Sequence, residues 1–278
     1  MIRYFLIFCE ICINKYKKRD DVNHVSWFQL ISYCSRQFFH LYKGTFTTSL
    51  KSYKKINNEI ASIDVADRKL FLPTSLKTND IILLLREALD LKHWHQYDTP
   101  YTPVTSDDIV VDCGTSEGIW AASVINKVKK LYLIEPQYDY SKILLKTFSS
   151  DSDKEKTEII NCALGSIDGY CNVHGIGNDA AIKIDNEGHL PIYKLDTLLK
   201  DKSISFLKAD IEGFELEMLK GATETIKKNK PKIAITVYHP ENNWKEIKDF
   251  LSLLVPEYKF RRKGLIFSGK PLMLHAWI

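Results

Sequence analysis

The stretch that decides the fold is VVDCGTSEGIWAASVINKVKKLYLIEP, residues Val110 to Pro136. An apolar run stops at Asp112, opens into a glycine loop and continues with helix-like periodicity. A second apolar run then ends on Glu135. This order of strand, glycine loop, helix and strand predicts a nucleotide-binding turn.

The loop reads D-x-G-x-x-x-G, with Asp112, Gly114 and Gly118 at the fixed positions. A dinucleotide fingerprint would instead read G-x-G-x-x-G, so that a pyrophosphate rests on the helix N-terminus. Asp112 stands at the first glycine position, and Glu117 lies in the loop. Carboxylates there would repel pyrophosphate but suit a ligand with an ammonium group and no phosphate, such as S-adenosylmethionine.

Glu135 supports nucleotide binding because an acidic residue at a strand end can accept both ribose hydroxyls. It follows Gly114 by 21 residues. Enzymes that bind NAD use the same device, so Glu135 alone does not separate the two cofactors. Each residue alone could be an ordinary loop turn or strand-end charge, but together they favour a nucleotide.

From Ile109 onward, predicted strands and helices alternate, which implies a parallel sheet covered on both faces. The last two strands are joined by a segment too short for a helix, which predicts an antiparallel hairpin and a class I methyltransferase sheet of seven strands. The strands are predicted at 109–112, 131–135, 158–162, 204–209, 232–238, 257–261 and 271–277, and the helices at 117–129, 138–149, 214–229 and 243–254. Residues 165–190 hold five of the twelve glycines. They predict either a hairpin or loop beside the site, or an irregular surface connection.

The first 105 residues are predicted to form a mainly helical extension, with a strand pair or extended segment at 56–75 and a helix at 80–94. The polar stretch 95–108 contains two prolines and is the predicted boundary with a domain at 106–278. Residues 1–60 contain ten Lys/Arg, four Asp/Glu and twelve of the 32 aromatic residues. An N-terminal amphipathic helix docked on the main domain is expected, with peripheral contact to an anionic membrane surface as the alternative.

The overall composition is that of a soluble globular protein, with 45% hydrophobic and 27% charged residues and a net charge of +4. The N-terminal apolar run is too short to span a bilayer and has no signal-peptide cleavage site. Six scattered cysteines include one C-x-x-C pair, Cys9 and Cys12, without a second pair at zinc-site spacing. These features predict a cytoplasmic protein with reduced thiols, and a location peripheral to the inner face of the membrane is the alternative.

The later segment LDTLLKDKSISFLKADIEGFELEMLKGATETIKKNKPKIAITVYH, residues 195–239, resembles the FkbM-type S-adenosylmethionine-dependent methyltransferases. The resemblance rests on Leu195-Asp196, the motif from Lys208 to Gly213, Glu215, Leu219 to Ala222, and Val237 to His239. Together with the first turn the resemblance covers about residues 106–278 and does not extend to residues 1–105.

The resemblance implies a Rossmann-like domain with S-adenosylmethionine at the carboxyl ends of the strands. Its methionine part would lie against the first turn, and its ribose against Glu135. Adenine would lie near Ala163, while Asp210 would face the methionine and the acceptor. The implied residues of the first turn are Asp112, Gly114, Thr115 and Gly118.

A hydroxyl acceptor needs a nearby base, and His239, Asp210 and Glu212 are the candidates. Each also has a structural alternative: Glu212 could favour a helix N-terminus, and His239 could bond to backbone at a strand end. Lys208 precedes Asp210 by two residues and is therefore on the same face of the predicted strand. It is expected to pair with an acid. We expect no metal, because nothing in the spacing demands one.

The resulting hypothesis is an O-methyltransferase acting on a hydroxyl of a sugar, glycan or secondary metabolite. Its substrate class comes only from the resemblance. One alternative is an RNA methyltransferase, although the fourth-strand motif DIEG is not the Asn/Asp-Pro-Pro-aromatic pattern of base amino-methylation. The other is a non-catalytic scaffold that retains the fold. The oligomeric state is not predicted.

Overall fold

In the computed structural model, the seven-stranded sheet is the centre of the molecule. The described residues are 9, 11–17, 20–38, 50–65, 68–174, 181–184, 188–240, 243–266 and 269–278. Its strands, numbered in chain order, are β4 (Ile109–Cys113), β5 (Lys130–Ile134), β6 (Thr157–Ile160), β11 (Phe206–Ala209), β12 (Lys232–Thr236), β13 (Lys259–Leu265) and β14 (Pro271–Trp277). Their order across the sheet is β13-β14-β12-β11-β4-β5-β6.

The pairing explains why the carboxyl ends of the central strands form one edge. Strands β4, β5, β6, β11 and β12 are mutually parallel, whereas β14 is antiparallel to both β12 and β13. The chain order reverses between β4 and β11, and ligands bind at such a switch point in open α/β sheets. The predicted seven-stranded, mostly parallel sheet with a C-terminal antiparallel hairpin is confirmed.

Both faces of the sheet are buried, as the continuous apolar runs of its strands require. Val111 and Leu207 belong to one core cluster, which also contains apolar residues of four helices in the C-terminal part of the chain. Their neighbours Val110 and Phe206 belong to the opposite cluster, which contains Trp120. This alternation follows from the two-residue period of a strand.

The helices on the two faces are shorter than predicted. They are α4 (Ile119–Val124, followed by a 3-10 turn at Ile125–Lys127), α5 (Tyr138–Thr147), α6 (Asp151–Lys156), α7 (Leu195–Leu198), α8 (Glu215–Lys220), α9 (Thr223–Asn229) and α10 (Trp244–Leu254). The helix predicted at 214–229 is divided at Gly221, where a Cβ would lie 2.0 Å from the carbonyl oxygen of Gly165. Close backbone packing therefore separates α8 from α9.

The predicted hairpin in 165–190 belongs to a small four-stranded sheet of order β7-β10-β8-β9. Its strands are β7 (Ala163–Leu164), β8 (Gly169–His174), β9 (Ala181–Ile184) and β10 (Leu190–Tyr193). Strands β8 and β9 pair antiparallel, while the glycines at 175 and 177 lie outside the described residues.

The first 105 residues contain both helices and a sheet. Their elements are α1 (Asp20–Asn23), α2 (Trp27–Phe38), β1 (Lys54–Lys55), β2 (Ile60–Val65), β3 (Arg68–Pro73) and α3 (Thr78–Leu89), with helical residues also at 11–16. The predicted strand pair at 56–75 is β2 with β3. Ile63 of β2 and Leu85 of α3 pack in one cluster with Ile119 of α4, so this region rests directly on the domain that follows.

The stretch 95–108, predicted as a boundary, also packs into the core. Tyr97 is buried beside Trp120, with ring centroids 5.4 Å apart. Thr102 is buried, and its hydroxyl lies 2.8 Å from Nδ1 of His275 in β14. Among the described residues, no helix is long and apolar enough to span a membrane. The N-terminal residues 1–8 and 10 lie outside the described residues.

Candidate active site

The glycine turn after β4 is held by positions where only glycine fits. Gly114 has a φ of +75°, and a Cβ there would lie 1.9 Å from the carbonyl oxygen of Asp210. Gly118 has a φ of +76° and lies against Leu144. The Thr115 hydroxyl donates to the carbonyl of Asp112 at 3.0 Å, which closes the turn. The turn therefore brings the ends of β4 and β11 into backbone contact.

Glu135 holds the turn from the end of β5. Its Oε2 accepts a hydrogen bond from the Ser116 N–H at 2.9 Å, and its Oε1 accepts one from the Gln137 N–H at 2.8 Å. Burial raises the pKa of Glu135 to about 7; the two backbone hydrogen bonds oppose this shift, and the charge of Glu117 adds to it. Both oxygens of Glu135 already accept a backbone hydrogen bond. A ligand hydroxyl that donates to Glu135 would therefore share one of these oxygens with a backbone N–H.

Glu117 offers an unsatisfied acceptor in the same loop. Its side chain is buried and is hydrogen-bonded by Ser116 and Tyr140, but Oε1 has no hydrogen-bond partner among the described residues. Burial raises the pKa of this carboxyl above its ordinary value. A ligand ammonium at this position would satisfy the oxygen and favour its charged form. The carboxylate oxygens of the turn therefore fit a cationic nucleoside such as S-adenosylmethionine.

Asp112 and Lys208 form a buried ion pair across neighbouring strands. Lys208 Nζ lies 2.8 Å from Asp112 Oδ1 and donates to the carbonyl of Gly114 at 2.6 Å. The two residues are direct partners in the β4–β11 register. The predicted acid partner of Lys208 is therefore Asp112, and this pair fixes the relative height of the two strands at the site.

Asp210, directly after β11, is the centre of the cluster. The Tyr97 hydroxyl donates to its Oδ2 at 2.9 Å, and His95 Nε2 lies 3.2 Å from the same oxygen. The Thr236 hydroxyl, 3.1 Å from Oδ1, is also 3.1 Å from Glu215 Oε1. A hydroxyl has one proton, so it donates to one of these two carboxylates at a time.

His239 approaches Asp210 from the opposite side, after the end of β12. Its Nε2 lies 3.4 Å from Asp210 Oδ1, and its Nδ1 lies 3.5 Å from Glu212 Oε2. Glu212 has a φ of +56°, a conformation that costs a non-glycine residue free energy. The three predicted catalytic residues, Asp210, Glu212 and His239, are therefore brought together, and strained backbone presents one of them.

The charges of the cluster set its protonation. Burial alone would lower the pKa of His95, but Glu87 and Asp210 outweigh it and raise this pKa to about 9. Burial likewise opposes the raised pKa of His239, which follows from the Asp210 hydrogen bond and the charge of Glu215. For Asp210, burial is outweighed by both histidines, which hold its pKa well below its ordinary value. The resting cluster thus contains an ionised Asp210 carboxylate beside a protonated His95, and the protonated form of His239 is favoured as well.

Three residues of this cluster could also hold a metal ion, because each offers one ligand atom within 4.8 Å of the others. They are Asp210, Glu215 and His239. Two of these side chains also accept hydrogen bonds from protein groups. Glu215 Oε1 accepts from the Ile211 N–H at 2.8 Å. Asp210 accepts from Tyr97, as described above. Metal independence of the site stays a prediction.

Two residues of this cluster, His95 and Tyr97, were not predicted from the sequence. They lie in the segment HWHQYD, residues 93–98, which spans the end of the helix predicted at 80–94 and the start of the boundary predicted at 95–108. The only available signal was its unusual density of histidine and aromatic residues in a polar loop. Ala163 is buried in β7 against Ile192, and its contact with adenine stays a prediction.

Replacing Glu135 with glutamine should flatten the pH dependence of stability. The folded-state pKa is about 7, against an ordinary value of 4.5, so the folded protein binds more protons between these values. The free energy of unfolding therefore falls as the pH rises from 4.5 to 7, and the variant lacks this contribution. Melting curves from pH 4.5 to 8 measure the slope. The matched variant Glu158→Gln, on the neighbouring strand β6, should keep the wild-type slope.

Comparison with known proteins identifies the family. A profile of the methyltransferase FkbM domain matches residues 112–262, more than half of the chain. The chain belongs to the FkbM methyltransferase family. The FkbM resemblance seen in the sequence is thereby confirmed. Among curated protein sequences, none matches significantly.

The crystal structure of a methyltransferase FkbM from Methylobacillus flagellatus shares this fold, with a TM-score of 0.50 and 21% identity. The match covers 73% of the present chain and 56% of that protein, so the FkbM-family chain spans about half the length of its relative. TYW2 of M. jannaschii, in complex with AdoMet, matches with a TM-score of 0.45 and 10% identity, over 80% of this chain and 86% of that one. This second score is too low to support an inference.

Proposed function

We propose that this FkbM-family protein is an S-adenosylmethionine-dependent O-methyltransferase whose acceptor is a hydroxyl of a sugar, glycan or secondary metabolite. The observation that carries the proposal is the excess of carboxylates at the carboxyl ends of the strands. Glu117, Glu135 and Asp210 all lie on loops at this edge, and Glu117 Oε1 has no partner there among the described residues. Such a site attracts a cation and disfavours pyrophosphate.

The residues that would hold the cofactor are those of the turn and of the β5 end. Glu117 would take its ammonium group, and Glu135 its ribose hydroxyls. When bound, S-adenosylmethionine supplies a methyl group on a positively charged sulfur, which is already an activated leaving group. The protein then has to position the acceptor oxygen and remove its proton.

His239 is the best placed base. Its Nε2 is oriented by Asp210, and Glu212 lies near Nδ1. Burial opposes the raised pKa of His239, but the Asp210 hydrogen bond and the charge of Glu215 outweigh it and favour the protonated imidazole, which cannot accept a proton. Added positive charge beside the cluster would lower the pKa of His239. We infer that His239 is a stronger candidate base when the cofactor side of the site carries its positive charge.

Peripheral membrane contact through residues 1–60 belongs to the same proposal. Helix α2 exposes the neighbouring apolar side chains Trp27, Phe28 and Ile31, and Phe28 is 80% exposed. An exposed aromatic surface on a basic segment suits an anionic bilayer surface. This supports a membrane-associated acceptor, such as a lipid-linked glycan.

Calorimetry with S-adenosylmethionine tests the first half of the proposal. We expect binding by the wild type, binding about tenfold weaker or more for Glu135→Gln, and unchanged binding for Glu158→Gln. Absence of heat, together with no rise in melting temperature with S-adenosylhomocysteine, would favour the scaffold alternative.

A methyl-transfer screen tests the second half. Radiolabelled S-adenosylmethionine is offered with a panel of sugars, glycans and hydroxylated metabolites, with bulk RNA as the competing class. We expect transfer to a hydroxyl compound, and no change when EDTA is added. Labelling of RNA alone would overturn the proposal, and loss of activity with EDTA that magnesium restores would overturn the expected metal independence.

A further inference from the structure

A cavity of about 330 Å³ lies between helix α2 and strand β13, outside the cluster around Asp210. Its walls come from three parts of the chain: α2, the segment that precedes His95, and β13 in the C-terminal hairpin. The residues that matter for its chemistry are Phe28, Lys92, Trp94, Arg261, Arg262 and Lys263.

The cavity is strongly cationic. Lys92, Arg261, Arg262 and Lys263 all line it, and none of its lining residues among those described is an aspartate or glutamate. Four positive side chains around one cavity repel each other, and an anion placed among them would relieve that repulsion. The cavity therefore has the charge of an anion-binding site.

Two of the cations are held in place by aromatic rings. The Arg261 guanidinium lies 5.2 Å from the centroid of the Tyr101 ring, and that of Arg262 lies 4.0 Å from the Trp244 ring. Cation–π contacts of this kind restrict the positions of the guanidinium groups. A restrained planar guanidinium matches the oxygens of a phosphate group better than a flexible ammonium does.

Lys263 adds a buried amine to the cavity. Its Nζ donates to the carbonyl oxygens of His93 at 2.8 Å and Gln96 at 3.3 Å. Burial lowers the pKa of Lys263 to about 7, a shift that Asp90 opposes. A bound anion would favour the charged form of Lys263, so the two would stabilise each other.

The cavity adjoins the candidate reaction centre. Trp94 lines the cavity, and the next residue, His95, places Nε2 3.2 Å from Asp210 Oδ2. The Lys263 bonds to His93 and Gln96 fix the backbone on both sides of His95. The segment 93–97 therefore joins the cavity to the cluster around Asp210. The volume lies at the lower end of the range for small-molecule pockets.

We propose that this cavity binds the phosphate or diphosphate group of the acceptor, and so holds a phosphorylated hydroxyl compound beside Asp210. The assignment of the ligand as acceptor rests on the proposed methyltransferase function. The anion site itself rests only on the cavity and its charges.

Calorimetry with inorganic pyrophosphate on the full-length protein tests the site without requiring activity. We expect binding that weakens at least tenfold in the double variant Lys92→Gln/Arg261→Gln. The control Lys154→Gln/Lys227→Gln removes the same charge from exposed helical pairs and should bind within twofold of the wild type. Equal loss in both double variants, or no binding by the wild type, would overturn the proposal.

Two further measurements separate the possible outcomes. Pyrophosphate binding without S-adenosylmethionine binding would support the anion site and contradict the methyltransferase proposal. S-adenosylmethionine binding without pyrophosphate binding would support the methyltransferase proposal and contradict the anion site. Sedimentation with phosphatidylcholine vesicles that contain phosphatidic acid distinguishes the source of the phosphate. Sedimentation that disappears in Lys92→Gln/Arg261→Gln assigns a lipid headgroup. Pyrophosphate binding without sedimentation assigns a soluble ligand.

Discussion

Asp210→Asn should reduce methyl transfer to the acceptor by about 10²- to 10⁴-fold, the range associated with loss of general acid–base chemistry. The variant keeps the shape of the side chain but removes the charge that orients His239 and His95. It also removes one negative charge near the proposed cationic cofactor, so we expect S-adenosylmethionine to bind about tenfold more weakly, a loss of about 1.4 kcal/mol.

The same variant has a readout that needs no acceptor. Asp210 contributes to the raised pKa of His95 and of His239, so both should titrate at lower pH in the variant. Nuclear magnetic resonance of the imidazole protons measures this directly. A merely structural role of Asp210 would lower stability without a selective shift of these two histidines.

The matched control is Asp151→Asn, which removes a fully exposed charge on α6 that makes one weak surface pair. It should leave activity, cofactor affinity and both histidine titrations unchanged. Activity of Asp210→Asn within tenfold of the wild type, with unchanged cofactor affinity, would contradict the role that we assign to Asp210.

Sequence reasoning found the parts of the site that local patterns determine. Asp112, Glu135 and Asp210 each end or follow an apolar run, and the carboxyl ends of parallel strands meet at one edge. The convergence of Asp210 with His239 therefore followed from strand order alone. The sequence predicted an acid partner for Lys208 without naming it, and the register of β4 with β11, which places Asp112 opposite Lys208, identifies it.

The contribution of the first 105 residues could not be obtained in this way. His95 and Tyr97 lie in a loop without periodicity, so no pattern indicated which way their side chains point. Their placement depends on tertiary contacts, such as Tyr97 against Trp120 and the Lys263 bonds to the carbonyls of His93 and Gln96. The division of α8 from α9 is similar, since it depends on Gly165, which is distant in the chain.

Gly114→Ala should lower the free energy of unfolding more than any other glycine-to-alanine change in this site. An alanine at a φ of +75° costs about 1–2 kcal/mol. Its Cβ would also lie 1.9 Å from the carbonyl oxygen of Asp210, which is backbone and cannot rotate away. Overpacking of this kind costs about 1–3 kcal/mol further. Because the ends of β4 and β11 must separate, cofactor binding should be lost together with stability.

Two other glycines provide a graded control for this prediction. At Gly118, φ is +76°, but the nearest atom to a Cβ is Leu144 Cδ2 at 2.6 Å, and this side chain can shift. Gly118→Ala should therefore be destabilised less, mainly by the backbone strain. At Gly169 a Cβ meets nothing within 4 Å, so Gly169→Ala should stay within about 0.5 kcal/mol of the wild type.

Thermal and urea unfolding of the three variants, with S-adenosylmethionine calorimetry on each, gives the order directly. We expect stability to decrease from Gly169→Ala through Gly118→Ala to Gly114→Ala, with a drop in melting temperature of several degrees for the last. If Gly114→Ala matched Gly169→Ala in stability, the contact between the turn and the Asp210 carbonyl could not be what holds the two strand ends together. If it lost stability but bound the cofactor normally, the turn would be a structural element and not part of the cofactor site.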